Sequence, residues 1–494
     1  MVQRFFLPLF LFFSFLFQAA ASLGLEGFLS QVREGNLDYR AFEGNSQGAG
    51  LRADEANLLT RPQLYGELSY AEDKGEIKAL DSGRMEPSSA LQGNDARVTQ
   101  ARLGVVEQFG FGLNAKLSYG YAKFDLNGAP NIPGISTSHS LVYLARPQLE
   151  LSIPLYKNLL GSEIRSKQSA LQEQGKAKEY IESFKAKMLL AEAESIYWKL
   201  SLAQALVKSS QENFERAQKM MGWSKRRKNL GLADEAQSLQ AEANLQLRQL
   251  EMQSATDEER ASRRRFNSLR GVVGDSVNEG LTEPATQMLN ELKVVDKYVE
   301  REDLKAARAS LKIAKASAQL SKEQFKPSVD LVGLYAWNGN NSDRKKAQDE
   351  ALGSDHSAYA VGLKFTMPLD VFTLSRQQQG YNLEEKSAEL SVQRKEFEGQ
   401  KDWDDLRLRF VEGRERFKIL TKLEEVQKKK LLRERDLQGR GRSTLFQVLQ
   451  YESEYANSQF TRTRAQVDLL SLYALLKTYN ISQSNDAPTE LKAN

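Results

Sequence analysis

The sequence predicts an internally duplicated α+β chain in which each half runs helix, strand, strand, very long helix, turn, helix. The placement of the prolines, the period of the apolar residues between them, and a sparse skeleton that occurs twice predict it. "GLADEAQSLQAE" from Gly231 and "GRSTLFQVLQYE" from Gly441 superpose, with Gly231 on Gly441, Gln237 on Gln447, Leu239 on Leu449, Gln240 on Gln450 and Glu242 on Glu452. Self-similarity at a fixed offset marks a repeated structural unit.

The helices follow from the prolines. None of the eleven lies between Pro154 and Pro284, or between Pro368 and Pro488. An interior proline costs a helix about 3 kcal/mol, so these two tracts are where very long helices can run. In the first, Ile181, Phe184, Met188, Ala191, Ser195, Trp198, Leu202 and Ala205 keep a 3-4 spacing. Leu189, Ala193, Ile196, Leu200, Ala203 and Val207 form a second, rotated seam. A two-stranded coiled coil needs one seam, whereas two adjacent seams suit a helix with neighbours on both sides, as in a ring of helices. An ordinary soluble bundle helix accounts for one seam but not for this length. Trp403, Leu406, Phe410, Gly413, Phe417 and Leu420 repeat the spacing, less densely, in the second tract.

The strands follow from alternation. "PQLYGELSY" from Pro62 and "PSVDLVGLYAW" from Pro327 alternate with period two, as do "LELSIPL" at Leu149 and "LKFTMPL" at Leu363, the pattern of strands with one apolar face. Pro154 and Pro368 are 214 positions apart and Gly231 and Gly441 are 210 apart. The spacing therefore assigns four additional residues, close to one turn, to the first long helix, which keeps its seam on the same face.

Expected boundaries are a leader at 1–21, a first repeat at 22–286 and a second repeat at 287–480, followed by a C-terminal tail at 481–494. The first repeat holds strands near 62–72, 99–126 and 145–155 and a helical hairpin at 157–271. The second holds strands near 327–338 and 359–369 and a hairpin at 371–480. Residues 1–22, "MVQRFFLPLFLFFSFLFQAAAS", carry one positive charge (Arg4), an apolar core from Phe5 to Phe17, and Ala19-Ala20-Ala21. This reads as a secretory signal peptide cut after Ala21; the alternative, a membrane anchor, suits less well an apolar stretch so short and followed by small residues.

Composition excludes several classes. Charged residues make up 27% of the chain, mean hydropathy is −0.54, and after the N-terminus no apolar run approaches the roughly 18 residues of a spanning helix. Net charge is only +4 with no basic block along a DNA-facing element, so nucleic-acid binding has little support. There is no cysteine, which excludes disulfides, thiol chemistry and a lipid anchor on Cys. The two histidines, His139 and His356, fall in expected loops without spaced carboxylates, and the eight methionines are scattered. No enzyme, metal site or cofactor is expected.

Over nearly the whole chain after the leader, this constellation resembles the TolC family of outer membrane efflux proteins. The residues that carry the resemblance are the duplicated Pro-led strands, the Leu230-Gly231-Leu232 turn and the Gly441 turn, each turn followed by a helix. The resemblance implies a homotrimer. Its strands would form one shared β-barrel in the outer membrane of a Gram-negative bacterium, and its helices an α-helical barrel continuous with it across much of the periplasm. Unpaired backbone groups are not tolerated in lipid and four strands cannot close alone, so trimerisation would supply the rest. The chain departs from the simplest form of the family between Pro62 and Pro154, which are 92 positions apart against 41 between Pro327 and Pro368. The excess contains "LGVVEQFGFGLNAKLSYGYAKFDL" (103–126), expected to be a hairpin turning at Gly110 to Gly112 between longer loops at 73–96 and 127–146. Short turns on the periplasmic side and long loops outside favour its insertion into the barrel, as six strands per chain, over a flap outside the membrane.

In the family the glycine turns lie at the periplasmic tips, and carboxylates six and nine residues after the second glycine narrow the entrance. Here Gln447 and Gln450 hold those positions, with Gln237 and Gln240 as first-repeat counterparts; such a ring would be neutral and closed by amide hydrogen bonds. The alternative is that they are surface helix positions. The family's latching Arg, two residues after the second glycine, is replaced by Ser443, with Arg440 and Arg442 beside the glycine and Asp234 and Glu235 as possible acidic partners of Arg442. The basic tips ("SKRRK" from Ser224, Arg433, Arg435, Arg440, Arg442) read either as a solvated charge run or as the seat of a periplasmic adaptor, with Gly231, Leu232, Gly441 and Arg442 in contact. The implied function is a passive exit duct of a tripartite efflux or type I secretion system, joined through a periplasmic adaptor (membrane fusion) protein to an inner-membrane pump of RND or ABC type. The alternative is an autonomous outer-membrane pore or a periplasm-spanning structural coiled coil.

Overall fold

The computed structural model describes residues 23–73, 95–127, 139–231, 234–277, 279–282, 284, 289, 292, 298–353 and 355–479. The expected leader, the tail, Leu232 and most of the two loops flanking the hairpin lie outside the described residues. The helices are α1 (Leu25–Gly35), α2 (Leu37–Arg52), α3 (Glu55–Leu58), α4 (Ser162–Asn229), α5 (Glu235–Leu269), α6 (Glu302–Phe325), α7 (Arg344–Leu352), α8 (Val371–Gly439) and α9 (Leu445–Leu476). The strands are β1 (Gln63–Asp73), β2 (Asp95–Gln108), β3 (Asn114–Asn127), β4 (His139–Pro154), β5 (Ser328–Trp337), β6 (Gly339–Asn341) and β7 (Ser357–Thr366). His139 thus opens β4 instead of lying in a loop, while His356 sits in the turn before β7.

The chain divides into two compact units, each drawing on both halves of the sequence: one within Met1–Ser46, Tyr180–Leu304 and Lys395–Asn494, the other within Gln47–Glu179 and Lys305–Arg394. The second unit holds the sheet. Its strands run antiparallel in the order β1-β2-β3-β4-β5-β7, with β6 beside β4. One row crosses all six long strands, from Leu64 to Val105, Leu117, Leu149, Tyr335 and Tyr359. Because side chains alternate between faces, the register places Leu64, Leu68, Tyr70, Leu103, Leu117, Leu151, Ile153, Leu331, Val361, Leu363 and Phe365 on one face, all exposed. The opposite face carries Glu67, Arg102, Lys116, Arg146 and Glu150.

The hairpin at 103–126 belongs to the sheet as parts of β2 and β3. Its turn is closed by Phe109 N–H to Leu113 O and Gly112 N–H to Phe109 O, both at 2.8 Å. Gly112 has φ +102° there, a conformation that glycine adopts freely.

The spacing argument for a longer first helix does not hold. α4 has 68 residues and α8 has 69. The extra residues lie between Pro154 and Ser162, where Asn158 (φ 59°), Leu160 (φ 52°) and Gly161 (φ 76°) all adopt left-handed conformations. The β2–β3 turn seats on this junction so closely that a Cβ on Gly161 would stand 1.9 Å from Gly110 O. Glu323 of α6 ties the junction down by accepting from Asn158 N–H (3.2 Å) and Ser162 Oγ (2.7 Å) while pairing with Lys326 (2.9 Å). Burial alone would push its carboxyl up, but Lys326, Ser162 and Asn158 together hold it below the usual carboxylate range.

Helix α7, which the alternating pattern did not reveal, packs on the apolar face. Gly339 of β6 pairs with Ala145, a Cβ there would lie 1.8 Å from Ala347 O, and the Arg344 guanidinium lies 5.5 Å from the Tyr121 ring centre. Its signal in the sequence is Asp343, whose carboxylate caps Lys345 N–H (2.8 Å) and Lys346 N–H (3.2 Å).

The first unit is helical. Its core joins Phe28, Ala193, Ile196, Leu200 and Phe266 to Trp403, Phe410, Phe417 and Leu469. From Ala191 to Leu202 both seams of α4 are buried or half-buried, Met188 before them is exposed, and Trp403, Phe410 and Phe417 recur every seven residues along α8 on one buried stripe. Further toward the N-terminus of α4, Ile181 is exposed. Arg301 closes the edge of the core, donating to both Asp303 carboxylate oxygens (2.9 and 2.8 Å) and to Tyr479 Oη (2.9 Å). Burial pushes the Tyr479 hydroxyl up to about 12, against the opposing pull of Arg301. Among the described residues no helix is long and apolar enough to cross a membrane.

Candidate functional site: the helical hairpin tips

α4 and α5 form one hairpin and α8 and α9 the other, and both turns belong to the helical unit. Each is built by a glycine just past a helix end. Gly231 has φ +70° and Gly441 φ +73°, and no heavy atom lies within 4 Å of a Cβ built on either. The glycines therefore serve the left-handed C-cap and not a close approach within the chain. At the second tip Arg442 N–H returns to Leu437 O at 2.9 Å and Gly441 N–H to Gln438 O at 2.9 Å, closing the cap. Helix α5 then starts on Asp234, whose carboxylate accepts from Glu235 N–H, and α9 starts on Thr444.

The two tips meet through a small apolar cluster of Ala241, Leu445 and Leu449, with Met220, Met221 and Trp223 packed against it. Gln237, Gln240, Gln447 and Gln450 are all exposed around it. Gln447 is already committed: it is the third helical residue of a capping box, receiving Thr444 N–H (3.2 Å) and Oγ1 (3.1 Å) while its own N–H bonds Thr444 Oγ1. Ser443 Oγ also donates to it, at 3.2 Å. Gln450 Nε2 donates to Glu454 at 3.2 Å. Gln240 and Gln450 line one groove of about 920 Å³ together with Asn244, Leu247, Phe446 and Phe460, whereas Gln237 and Gln240 sit beside Leu445 and Phe446.

The acidic partners suggested for Arg442 are engaged elsewhere. Glu235 pairs with Lys228 of its own hairpin at 2.8 Å, and that hydrogen bond and charge hold its carboxyl below the usual range. Asp234 is occupied as the cap. Arg442 itself is exposed, and Ser443 is held by Glu434 and Gln447. Part of the basic run is engaged: Arg227 lies over the Trp223 ring (4.8 Å), and Arg433 and Arg440 share Asp436.

The residue that sequence reasoning passed over is Glu452. It is 1% exposed, with Arg435 of α8 at 2.7 Å and Arg216 of α4 at 3.4 Å from the same carboxylate oxygen. One buried carboxylate thus links α9 to both long helices. Its counterpart Glu242 is exposed. The skeleton that matched the two residues was the available signal, but it could not say which copy faced inward. Nearby, Lys430 pairs with Glu454 at 2.8 Å, a hydrogen bond that keeps the ammonium up and the carboxyl down. Arg462 pairs with Glu424. Among the described residues no group of three or more His, Cys, Asp or Glu is placed to hold a metal ion.

A sheet with an exposed apolar band along one face, joined in one chain to two helical hairpins of this length, defines a class: the chain has the fold of the TolC-like outer-membrane channels. The similar solved structures include the open state of the MtrE outer membrane channel of Neisseria gonorrhoeae, at 15% identity and TM-score 0.63 over 95% of this chain and 92% of that one. The outer membrane protein VceC of Vibrio cholerae matches at 15% identity and TM-score 0.61 over 92% and 95%. The CmeC outer membrane channel of Campylobacter jejuni matches at 15% and 0.59 over 94% and 87%. No protein-family model and no curated protein sequence matches the chain.

Proposed function

We propose that three copies of this chain form a passive outer-membrane duct for efflux, with the sheets in the membrane of a Gram-negative bacterium and the helices in the periplasm. The observation that carries the reading is the apolar face of the sheet. The register lines up Leu64, Leu68, Leu103, Val105, Leu117, Leu151, Leu331, Val361, Leu363 and Phe365 as an exposed apolar band across the six long strands, bounded further along β1, β2 and β3 by Glu72, Arg97, Thr99, Lys123 and Asp125 on the same face. Exposed apolar patches of this extent mark a membrane or partner surface, and a polar face behind an apolar one is the pattern of an outer-membrane barrel. The chain carries no catalysis in this reading, and energy comes from an inner-membrane pump reached through a periplasmic adaptor.

The tips are the proposed adaptor seat, through Gly231, Leu232, Gly441 and Arg442. Gln237, Gln240, Gln447 and Gln450 are proposed to make a neutral entrance. Because Gln447 uses its amide oxygen to cap α9, it offers the lumen its amide hydrogens; Gln450 already donates to Glu454, so Gln237 and Gln240 are the freer pair. Whether the pump exports small molecules or an unfolded polypeptide is set by the pump, since a wide water-filled tunnel selects little. The test combines outer-membrane fractionation and bilayer conductance with replacement of both tip turns by Gly-Ser links. The reading predicts that the tip variant inserts and conducts but no longer supports export. Full export by that variant refutes the coupled duct in favour of an autonomous pore, and a wild-type protein that neither fractionates with outer membrane nor conducts refutes both.

A further inference from the structure

The sheet ends in two open edges, β1 on one side and β7 on the other. Unpaired backbone groups at such edges are costly in lipid, and the sheet itself indicates how far out of step the two edges are. Take the row through Leu64, which reaches Tyr359 on β7. Gln63, the first residue of β1, lies one residue beyond that row, whereas Thr366, the last of β7, lies seven beyond it. The intervening ends fall between these values: Gln108 and Asn114 are three residues beyond the row, Pro154 five and Ser328 seven. The ends on this side therefore slope steadily across the chain by six residues.

We propose that β7 of one copy pairs antiparallel with β1 of the next in a single register, with Lys364 directly opposite Glu67. The requirement that apolar faces stay together allows only shifts of an even number of residues. A shift of eight over six strands, at about 3.3 Å per residue and about 4.8 Å per strand, tilts the strands by about 42°, and a shift of six by about 35°. Shifts of four and ten give about 25° and about 49°, outside the range of known barrels. Charge separates the two that remain. Lys364 already faces Asp330 within its own sheet and Glu67 faces Arg102 within its own. A shift of eight sets Asp330, Lys364, Glu67 and Arg102 in one row of alternating sign on the polar face. A shift of six instead places Lys364 opposite Tyr65 and Glu67 opposite Gly362. Glu67 and Lys364 are both exposed in the single chain, without an ion-pair partner among the described residues. On the apolar side the chosen register brings Leu68 against Leu363 and Tyr70 against Val361.

The inference rests on the three copies proposed above; six long strands from each close a barrel of eighteen. Since the chain has no cysteine, introduced thiols report the register without background. Directly opposed strand residues meet the Cα separation of a disulfide, and β1 and β7 are too far apart in one chain to bond internally. Light scattering in detergent fixes the copy number of every variant first. In a trimer, oxidised Glu67→Cys/Lys364→Cys is expected to migrate as covalent dimers and trimers, with at least tenfold less product from Glu67→Cys/Gly362→Cys. Glu67→Lys is expected to lower the temperature at which the trimer dissociates, and Glu67→Lys/Lys364→Glu to recover most of the loss. A trimer crosslinked better through Gly362→Cys, or through neither pair, overturns the register while leaving the duct reading intact. A monomer overturns the trimer and the register with it.

Discussion

Replacing Glu452 by Ala tests whether the two hairpins are locked at their tips by one carboxylate. The side chain is 1% exposed and its two arginines, Arg216 and Arg435, are 27% and 34% exposed. Removing one partner of a buried ion pair costs about 3–5 kcal/mol, mainly because the other charge is left uncompensated. Here the stranded guanidiniums can partly rehydrate, and Arg216 keeps a contact to Glu212 (3.6 Å), so the lower end applies, about 3 kcal/mol. At 1.4 kcal/mol per decade this is roughly a hundredfold in a local opening equilibrium. Hydrogen exchange across the first turns of α9, Leu445 to Ala456, reads that equilibrium directly. Glu242→Ala is the internal control: it occupies the matching position in the first repeat but is exposed, and it should change exchange by less than about 0.5 kcal/mol. Equal protection factors in the two variants would refute the lock.

Other outcomes follow from the same geometry. Gly161→Ala must push its methyl against Gly110 O at 1.9 Å while holding φ +76°, so the protein should lose more than about 2 kcal/mol of stability, seen as a lower midpoint in thermal melts. Gly222→Ala, inside α4 with open space around it, should be neutral or stabilising by about 0.5–1 kcal/mol in the same assay. Gln450→Asp should shift the zero-current potential of bilayer channels toward cation selectivity, an effect that fades as the pH is lowered toward about 4, where carboxylates protonate. Although burial opposes it, Arg301 and Lys395 hold the Asp303 carboxyl below its ordinary value. Its contribution is therefore present above the unfolded value, about 3.9, and lost as pH falls through the folded one. Asp303→Asn should be less stable at neutral pH and show a flatter acid branch in thermal melts followed by helical circular dichroism.

How much of this was legible in the sequence depended on whether a signal was local or relational. The α8 stripe of Trp403, Phe410 and Phe417 could be read because one helix with one period carries it. The same holds for the strand faces, since alternation at Leu149, Leu151 and Ile153 is enough to assign a side. Helix α7 escaped because its only strong signal is the cap Asp343, placed in the expected loop between the strands near 327–338 and 359–369. Glu452 escaped for another reason: its burial is set by Arg216 and Arg435, which are about 240 and 17 positions away, and no local pattern records a three-helix contact. The tip acids show the limit of counting offsets. Asp234 and Glu235 stood close to Arg442 in the superposed repeats, yet capping and an ion pair seven residues away in sequence, with Lys228, used both of them first.

The proline offset misled for a reason that connects two features of the first repeat. Four residues are close to a helical turn, so adding them to α4 was the simplest way to keep its seam in phase. They went instead into the junction between β4 and α4, and only the first repeat also carries the β2–β3 hairpin. The two insertions meet, with Gly110 against Gly161 and Gly112 near Pro154 and Asn158. A hairpin added to a sheet brings a turn that must sit somewhere, and here it would collide with a strand-to-helix corner of ordinary length. The left-handed Asn158, Leu160 and Gly161 fold that corner into a seat, and Glu323 satisfies the backbone that the fold exposes. Left-handed non-glycine residues cost energy and persist only where their surroundings hold them. The β2–β3 hairpin and the strained corner are therefore coupled by direct contact, and removing the hairpin alone should leave the corner without its reason to bend.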